Sequence, residues 1–212
     1  MINHLDDCIA SILEQWRGYG SPDGDSPLYI LFSSDHGEML GDHQLFRKSL
    51  GYEASARVPF FITGQNVSLP STTSADLVCW EDIAPTILDL AGVEVPPSME
   101  GISLAPHIRG ETPPAPRDHI FGQCQGHYHN LWIVTPRWKY LWFPSTNEEQ
   151  LFDLSNDPQE NHDASGESTA LGELRERMAS HLQNRDDLTY DPDRLIPCSN
   201  RPPRVFWSHQ TS

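Results

Sequence analysis

The sequence predicts a mixed α/β protein in two parts, and three patterns support this prediction. An amphipathic helix over residues 2–17 is followed by an unbroken apolar run at 28–32, which is typical of a strand buried on both faces of a parallel sheet. Strands that come before a covering helix favour a small antiparallel α+β subdomain. Such a series follows: strands are predicted at 120–122, 131–134 and 139–143, and a helix is predicted at 167–184.

The elements of the first part are delimited by their own residues. Gly18 and Gly20 end the first helix, and a Ser-Pro-Asp-Gly turn leads into the strand. The run 59–63 predicts a second strand, and 80–91 predicts a helix. The residues expected to face inward from that helix are Ile83, Ile87, Leu90 and Ala91.

The second part has its own turn and helix signals. Thr135-Pro136-Arg137 predicts a tight turn between two strands, and 150–154 predicts one strand more. Its helix carries one apolar stripe, made of Leu171, Leu174, Met178 and Leu182. We therefore divide the chain into an α/β part, an antiparallel α+β subdomain and an irregular tail, at 1–117, 118–184 and 185–212.

Composition limits the classes of partner. The 212 residues include 14 basic and 30 acidic side chains, a net charge of −16, which argues against nucleic acid or an anionic membrane as a general partner. No apolar segment approaches the ~20 residues of a membrane span. Residues 3–7, Asn-His-Leu-Asp-Asp, are mostly polar and give no signal-peptide pattern, and the sequence leaves the cellular location open.

Candidate chemistry lies directly after the run at 28–32. Asp35 and His36 offer one oxygen and one nitrogen ligand, and Gly37 lets the backbone turn so that both reach one site. In open α/β sheets, ligands bind beyond the carboxyl ends of the strands. Lys48 is a compact cation suited to a tetrahedral oxyanion. These residues together predict metal-assisted chemistry on an anionic ester.

The same stretch carries a family resemblance. Residues 34–43 read Ser-Asp-His-Gly-Glu-Met-Leu-Gly-Asp-His, and with the segments that follow in order they resemble the sulfatases of the alkaline-phosphatase-like superfamily. The resemblance implies the C-terminal part of that fold, a sandwich with a mostly parallel sheet flanked by helices, joined to a small antiparallel α+β subdomain. The later matching segments are Lys48, 52–53, 57–59, 82–92, 101–104, 138–140 and 150–160.

This resemblance also implies roles for individual residues. The intact enzyme would hydrolyse a sulfate ester with a formylglycine nucleophile and a divalent ion, usually Ca²⁺, with Mn²⁺ or Mg²⁺ as alternatives. Asp35 and His36 would be metal ligands, and Lys48 would be catalytic and bind the sulfate group. From their spacing alone, His127 and His129 would share a strand face, and we expect a role for His127 in lining the substrate pocket, or plain surface placement, over a second metal site.

The nucleophile motif is not in this sequence. Formylglycine is made in a Cys/Ser-x-Pro/Ala-x-Arg motif, which no serine satisfies and which none of the cysteines matches: Cys8, Cys79, Cys124 and Cys198. We therefore expect the N-terminal half with the formylglycine to be missing and this chain alone to be inactive. The alternatives are a phosphonate monoester or phosphodiester hydrolase of the same superfamily, and a catalytically silent truncated product acting as an interaction module. An incomplete sheet also predicts self-association through its exposed edge or face.

Several of these residues have plainer interpretations. Asp35 could cap a turn, and Lys48 could be a solvated surface lysine. Asp42 and His43 could orient the metal ligands or belong to a surface loop. Glu53 and Arg57 are four residues apart, which is the spacing of an ion pair across one helical turn.

Overall fold

The computed structural model of the protein describes residues 2–19, 28–64, 67, 72–124, 129–166, 168–183, 190–191 and 196–197. Its helices are α1 (Ile2–Tyr19), α2 (Glu53–Ala56), α3 (Ile83–Leu90), α4 (Ala105–Arg109) and α5 (Ser168–Gln183). Its strands are β1 (Tyr29–Ser33), β2 (Phe60–Gly64), β3 (Ile120–Cys124), β4 (Asn130–Val134), β5 (Trp138–Phe143), β6 (Glu148–Asp153), β7 (Tyr190–Asp191) and β8 (Ile196–Pro197).

In the first part, α1, β1 and β2 form where the sequence predicted a helix and two strands. β1 pairs with β2 in the antiparallel direction, with Leu31 opposite Ile62, and the rings of Phe32 and Phe61 stack at 4.9 Å. The apolar run alone predicted a parallel strand buried on both faces. β1 is instead half-buried along its length, because β2 is its one neighbour in the sheet within the described ranges.

The second part contains the predicted antiparallel sheet, with strand order β3-β4-β5-β6. Side chains alternate between its two faces, as the two-residue period of a strand requires. On one face, α5 covers a core made of Leu131, Ile133, Tyr140, Trp142, Leu151, Leu174, Met178 and Leu182. On the other face, Met39 and Tyr52 of the segment that follows β1 pack against Leu141 and Phe152 of the sheet. The sheet therefore lies between α5 and the segment that carries the candidate site.

The inward face of α3 differs from the prediction. Ile87 and Ala91 are exposed, and Thr86 is fully buried instead. The Thr86 hydroxyl donates to the Asp82 carbonyl and accepts from the backbone N–H of Leu104 at 2.9 Å. Hydrogen bonds to the turn at 101–104 therefore decide which side of this helix faces inward, and apolar periodicity does not.

A buried ion pair fixes the start of that helix. The fully buried Asp82 carboxylate accepts from both terminal nitrogens of Arg117, at 2.6 and 2.7 Å, and from the backbone N–H groups of Cys79 and Ile102. Burial pushes the pKa of Asp82 upward, but these hydrogen bonds lower it below its ordinary value. The carboxylate stays ionised and ties residues 79–82 to Ile102 and Arg117.

Two features complete the description. Across the described part of the chain, every helix is too short or too polar to cross a lipid bilayer. The predicted tail at 185–212 lies outside the described residues except for β7 and β8, which pair in the antiparallel direction. The division of the chain at residues 117 and 184 stays a prediction.

Candidate functional site

The loop after β1 is held by the short helix α2. The backbone N–H of Gly37 donates to the carbonyl of Ser55 at 2.8 Å, and that of Glu38 donates to the carbonyl of Ala54 at 2.9 Å. A Cβ atom on Gly37 would lie 2.1 Å from the Ala54 oxygen, so only glycine permits this approach. The close contact fixes the position of the two residues before Gly37.

Those two residues are Asp35 and His36. The backbone N–H of His36 donates to Asp35 Oδ1 at 3.0 Å, and His36 Nε2 lies 3.5 Å from Asp35 Oδ2. His36 Nδ1 lies 2.7 Å from the carbonyl oxygen of Gly37, which can only accept. This partner assigns the proton to Nδ1 and leaves a lone pair on Nε2. A histidine that binds a metal commonly has this second hydrogen bond.

Lys48 reaches the same point. Its Nζ lies 2.6 Å from His36 Nε2, and its side chain is exposed. The structure therefore brings together three predicted site residues: a carboxylate, an imidazole lone pair and an ammonium group. The lone pair of Nε2 can bond either to the ammonium or to a metal ion, so metal binding at Nε2 would free Lys48 to contact an anion. His127 lies outside the described residues.

The donor set can be tested for its fit to a divalent ion. Asp35 and His36 offer one oxygen and one nitrogen, which suits two positions of a shell that holds at least four ligands. Within the described ranges, no group of three or more His, Cys, Asp or Glu side chains could hold a metal ion. The residues thus fit part of a metal site, and the rest of the shell must come from other groups.

A buried ion-pair network joins α2 to β5. No pattern in the sequence predicted it. Lys139 Nζ, fully buried in β5, lies 2.6 Å from Glu53 Oε1 and 2.8 Å from Glu160 Oε1. The backbone N–H of Glu53 donates to Glu160 Oε2 at 2.6 Å. The predicted pair of Glu53 with Arg57 is present at 3.5 Å, but Arg57 is exposed, which makes Lys139 the principal partner. Burial raises the pKa of Glu160 although Lys139 opposes it.

Other neighbours of the site were also missed or left open. The indole N–H of Trp80 donates to the carbonyl of Ser34 at 2.8 Å and so holds the end of β1. A tryptophan before a helix gives no signal of this contact in the sequence. The ring of His43 stacks on Tyr52 at 4.3 Å, and the Tyr52 hydroxyl donates to Gln150. The exposed His43 therefore packs on the buried Tyr52 from the loop.

Comparison with known proteins places this chain in a family. Residues 41–187 match the family profile described as N-sulphoglucosamine sulphohydrolase, C-terminal. An arylsulfatase of Clostridium perfringens is 38% identical over 202 residues, which cover 92% of this chain and 41% of that enzyme. The chain belongs to the sulfatase family. The profile it matches is that of the family's C-terminal region, and the chain spans about two-fifths or less of the length of these curated relatives.

Solved structures agree with the expected sulfatase fold class. A protein in complex with its substrate D-glucosamine-2-N,6-O-disulfate shares 26% identity with a TM-score of 0.70, over 91% of this chain and 40% of that one. A phosphonate monoester hydrolase of Agrobacterium radiobacter shares 25% identity with a TM-score of 0.65, over 86% and 39%. The predicted α/β fold class of the alkaline-phosphatase-like superfamily is thereby confirmed for this sulfatase portion.

Proposed function

We propose that this chain is the C-terminal part of a sulfuric ester hydrolase, in which Asp35 and His36 are two ligands of a divalent ion and Lys48 binds the sulfate group. The observation that carries the proposal is the convergence at His36 Nε2, 3.5 Å from an Asp35 oxygen and 2.6 Å from Lys48 Nζ. This convergence lies on the loop that leaves a strand of a sulfatase-family chain.

The side chains have distinct tasks in this proposal. The Nδ1–H group of His36 donates to Gly37, so that Nε2 stays aimed at the site. Asp35 adds negative charge beside it. The ammonium of Lys48 binds an oxygen of the sulfate and neutralises charge that grows there as the ester bond breaks. A bound divalent ion would supply Lewis-acid stabilisation of the same charge.

The proposed ion is Ca²⁺, with Mn²⁺ or Mg²⁺ as alternatives. Carboxylate oxygen suits all three ions, whereas an imidazole nitrogen is the softer donor and tolerates Mn²⁺ better than Ca²⁺. His36 therefore favours a site of broader metal preference than an all-oxygen shell would have. Replacing His36 with asparagine restores an oxygen donor and separates these alternatives.

Two thiols of this chain, Cys79 and Cys124, are poorly suited to act as a substitute nucleophile. Burial raises the pKa of the Cys79 thiol to about 12, and burial also raises the pKa of Cys124. Both thiols are therefore protonated at neutral pH and are poor nucleophiles. The proposal accordingly assigns the nucleophile to a formylglycine outside these 212 residues and expects little or no turnover from the chain alone.

His127, self-association and the domain division also remain proposals. Cys124 and Asn130, which precede and follow His127 in the sequence, are paired across β3 and β4, and the N–H of Gly51 donates to Asn130. This pairing near the segment of Lys48 supports a role for His127 in substrate binding. The half-exposed side chain of Phe61, on β2, supports self-association through the exposed edge or face of the sheet. Sedimentation that finds only a cooperatively folded monomer would contradict the self-association.

A second candidate function is hydrolysis of phosphonate monoesters or phosphodiesters. The similarity to the phosphonate monoester hydrolase and the imidazole ligand favour it. The third candidate is a catalytically silent interaction module. It differs from the other two in that supplying the missing nucleophile would restore no turnover. If a formylglycine-bearing partner segment restores no turnover to this chain, the silent module is the correct interpretation.

The test is a graft. The matching region of the Clostridium perfringens arylsulfatase is replaced by this chain, and hydrolysis of an aryl sulfate and of an aryl phosphonate monoester is measured with added Ca²⁺ or Mn²⁺. We expect sulfate turnover in the graft and none in the chain alone. A folded graft that prefers the phosphonate ester supports the second candidate. Turnover by the chain alone, abolished by Lys48→Ala, would contradict the proposed missing nucleophile.

A further inference from the structure

The segment that carries Lys48 is clamped by one side chain of the four-stranded sheet. Asn130, the first residue of β4, is fully buried. Its Nδ2 donates to the carbonyl oxygen of Ser49 at 2.8 Å, and its Oδ1 accepts from the backbone N–H of Gly51 at 2.9 Å. The carboxamide thus uses both a donor and an acceptor on the two backbone groups just after Lys48.

The clamped backbone is in an uncommon conformation. Ser49 has φ +93° and Arg47 has φ +70°, so left-handed residues that are not glycine flank Lys48 on both sides. Such residues persist only where surrounding contacts hold them. The two hydrogen bonds of Asn130 hold Ser49 and Gly51, and so they support the left-handed conformation of Ser49.

The same strand fixes the other side of the clamp. Trp132 is two residues after Asn130 and therefore points to the same face of the sheet. A Cβ atom on Gly51 would lie 2.6 Å from the Trp132 ring, so glycine allows the backbone to lie directly against the indole. Asn130 and Trp132 together fix the position of residues 49–51 against β4.

We infer that Asn130 is a positioning residue for Lys48. Its carboxamide holds Ser49 and Gly51 so that the Lys48 ammonium reaches His36 Nε2, 2.6 Å away. The inference deepens the proposed function, because it rests on Lys48 as the sulfate-binding group. It assigns to the antiparallel subdomain a part in shaping the site that lies at the end of β1.

The side-chain chemistry gives a sharp substitution. Aspartate has the shape of asparagine and still accepts from Gly51, but it cannot donate to the Ser49 carbonyl and places a carboxylate against that oxygen. Asn130→Asp therefore breaks half of the clamp with no change of volume. Asn147→Asp is the matched control, since it makes the same change at an exposed turn of the same sheet, where the Oδ1 atom only accepts from Trp142.

The readout is the ¹⁵N signal of His36 Nε2 in the labelled full chain, which reports whether that nitrogen accepts a hydrogen bond. Lys48→Ala sets the scale, because it removes the donor outright. We expect Asn130→Asp to move the signal at least half of the way to its position in Lys48→Ala, and Asn147→Asp to leave it in place. A folded Asn130→Asp protein whose signal stays at the wild-type position overturns the inference.

Two additions keep the inference and the proposed function distinguishable. If Asn130→Asp does not fold by circular dichroism, Asn130→Ala is used, which removes both bonds and adds no charge; an unmoved signal there also overturns the inference. Titration of the wild type with inorganic sulfate then tests Lys48 itself. A signal that responds to Asn130→Asp but not to sulfate supports the positioning role of Asn130 and contradicts the sulfate-binding role of Lys48.

Discussion

Replacing Lys139 with methionine tests the network beneath the candidate site. The ammonium of Lys139 is fully buried, 2.6 Å from Glu53 and 2.8 Å from Glu160. Methionine keeps most of the volume but leaves two carboxylates close together without a cation. Removing one partner of a buried ion pair typically costs about 3–5 kcal/mol, and we expect the free energy of unfolding at pH 7 to fall by that amount.

The loss should depend on pH. Burial raises the pKa of Glu160 above its ordinary value of 4.5, and Lys139 limits that rise. An acid whose pKa is higher in the folded state binds its proton more tightly there, so stability falls as pH rises through the window above 4.5. Without Lys139 the rise of the pKa is larger. The deficit of Lys139→Met should therefore shrink as the pH falls from 7 towards 4.5.

Urea unfolding followed by tryptophan fluorescence measures both effects. Arg57→Met is the matched control, because Arg57 pairs with the same Glu53 at 3.5 Å while its side chain is 77% exposed. An exposed pair across one helical turn contributes no more than about 0.5 kcal/mol. Equal losses for the two variants, or a Lys139→Met deficit that does not change with pH, would refute the reasoning.

Three further predictions concern residues around the loop. Gly37→Ala places a methyl group against a carbonyl of α2 and should cost about 1–3 kcal/mol in the same unfolding assay. Arg117→Met leaves Asp82 buried without its cation and should cost about 3–5 kcal/mol, with normal stability contradicting the buried pair. In the grafted enzyme, Asp35→Asn should lower activity far more than His36→Asn, whose main effect should be a shift of metal preference towards Ca²⁺; comparable losses would argue against the assigned ligands.

The second part of the fold was predictable because its signals are local. Two apolar runs separated by the Thr135-Pro136-Arg137 turn indicated the hairpin of β4 and β5, and the stripe on α5 indicated the face that packs on the sheet. The inward face of α3 was not predictable in this way. It depends on hydrogen bonds of Thr86 with Asp82 and Leu104, and Leu104 lies 18 residues further along the chain.

The candidate site shows the same difference between residues that local sequence signals select and residues that long-range contacts bring in. Asp35, His36 and Lys48 lie within one short stretch, so residue type and family resemblance were sufficient to select them. The residues that support them are far away in sequence: Asn130 bonds to a residue 79 positions earlier, and Glu160 to one 107 positions earlier. Only the folded chain brings these contacts together, because an isolated Asn or Glu gives no sign of its partner.

The most direct test of the proposed site compares turnover with bound metal in the grafted enzyme, for Lys48→Ala and for the exposed control Arg57→Ala. If Lys48 acts on the sulfate and Asp35 and His36 hold the ion, Lys48→Ala should lower turnover by about 10²–10³-fold and leave the metal content unchanged. Arg57→Ala should leave both quantities unchanged. Loss of the metal in Lys48→Ala, or full turnover without Lys48, would contradict the assignment of the site.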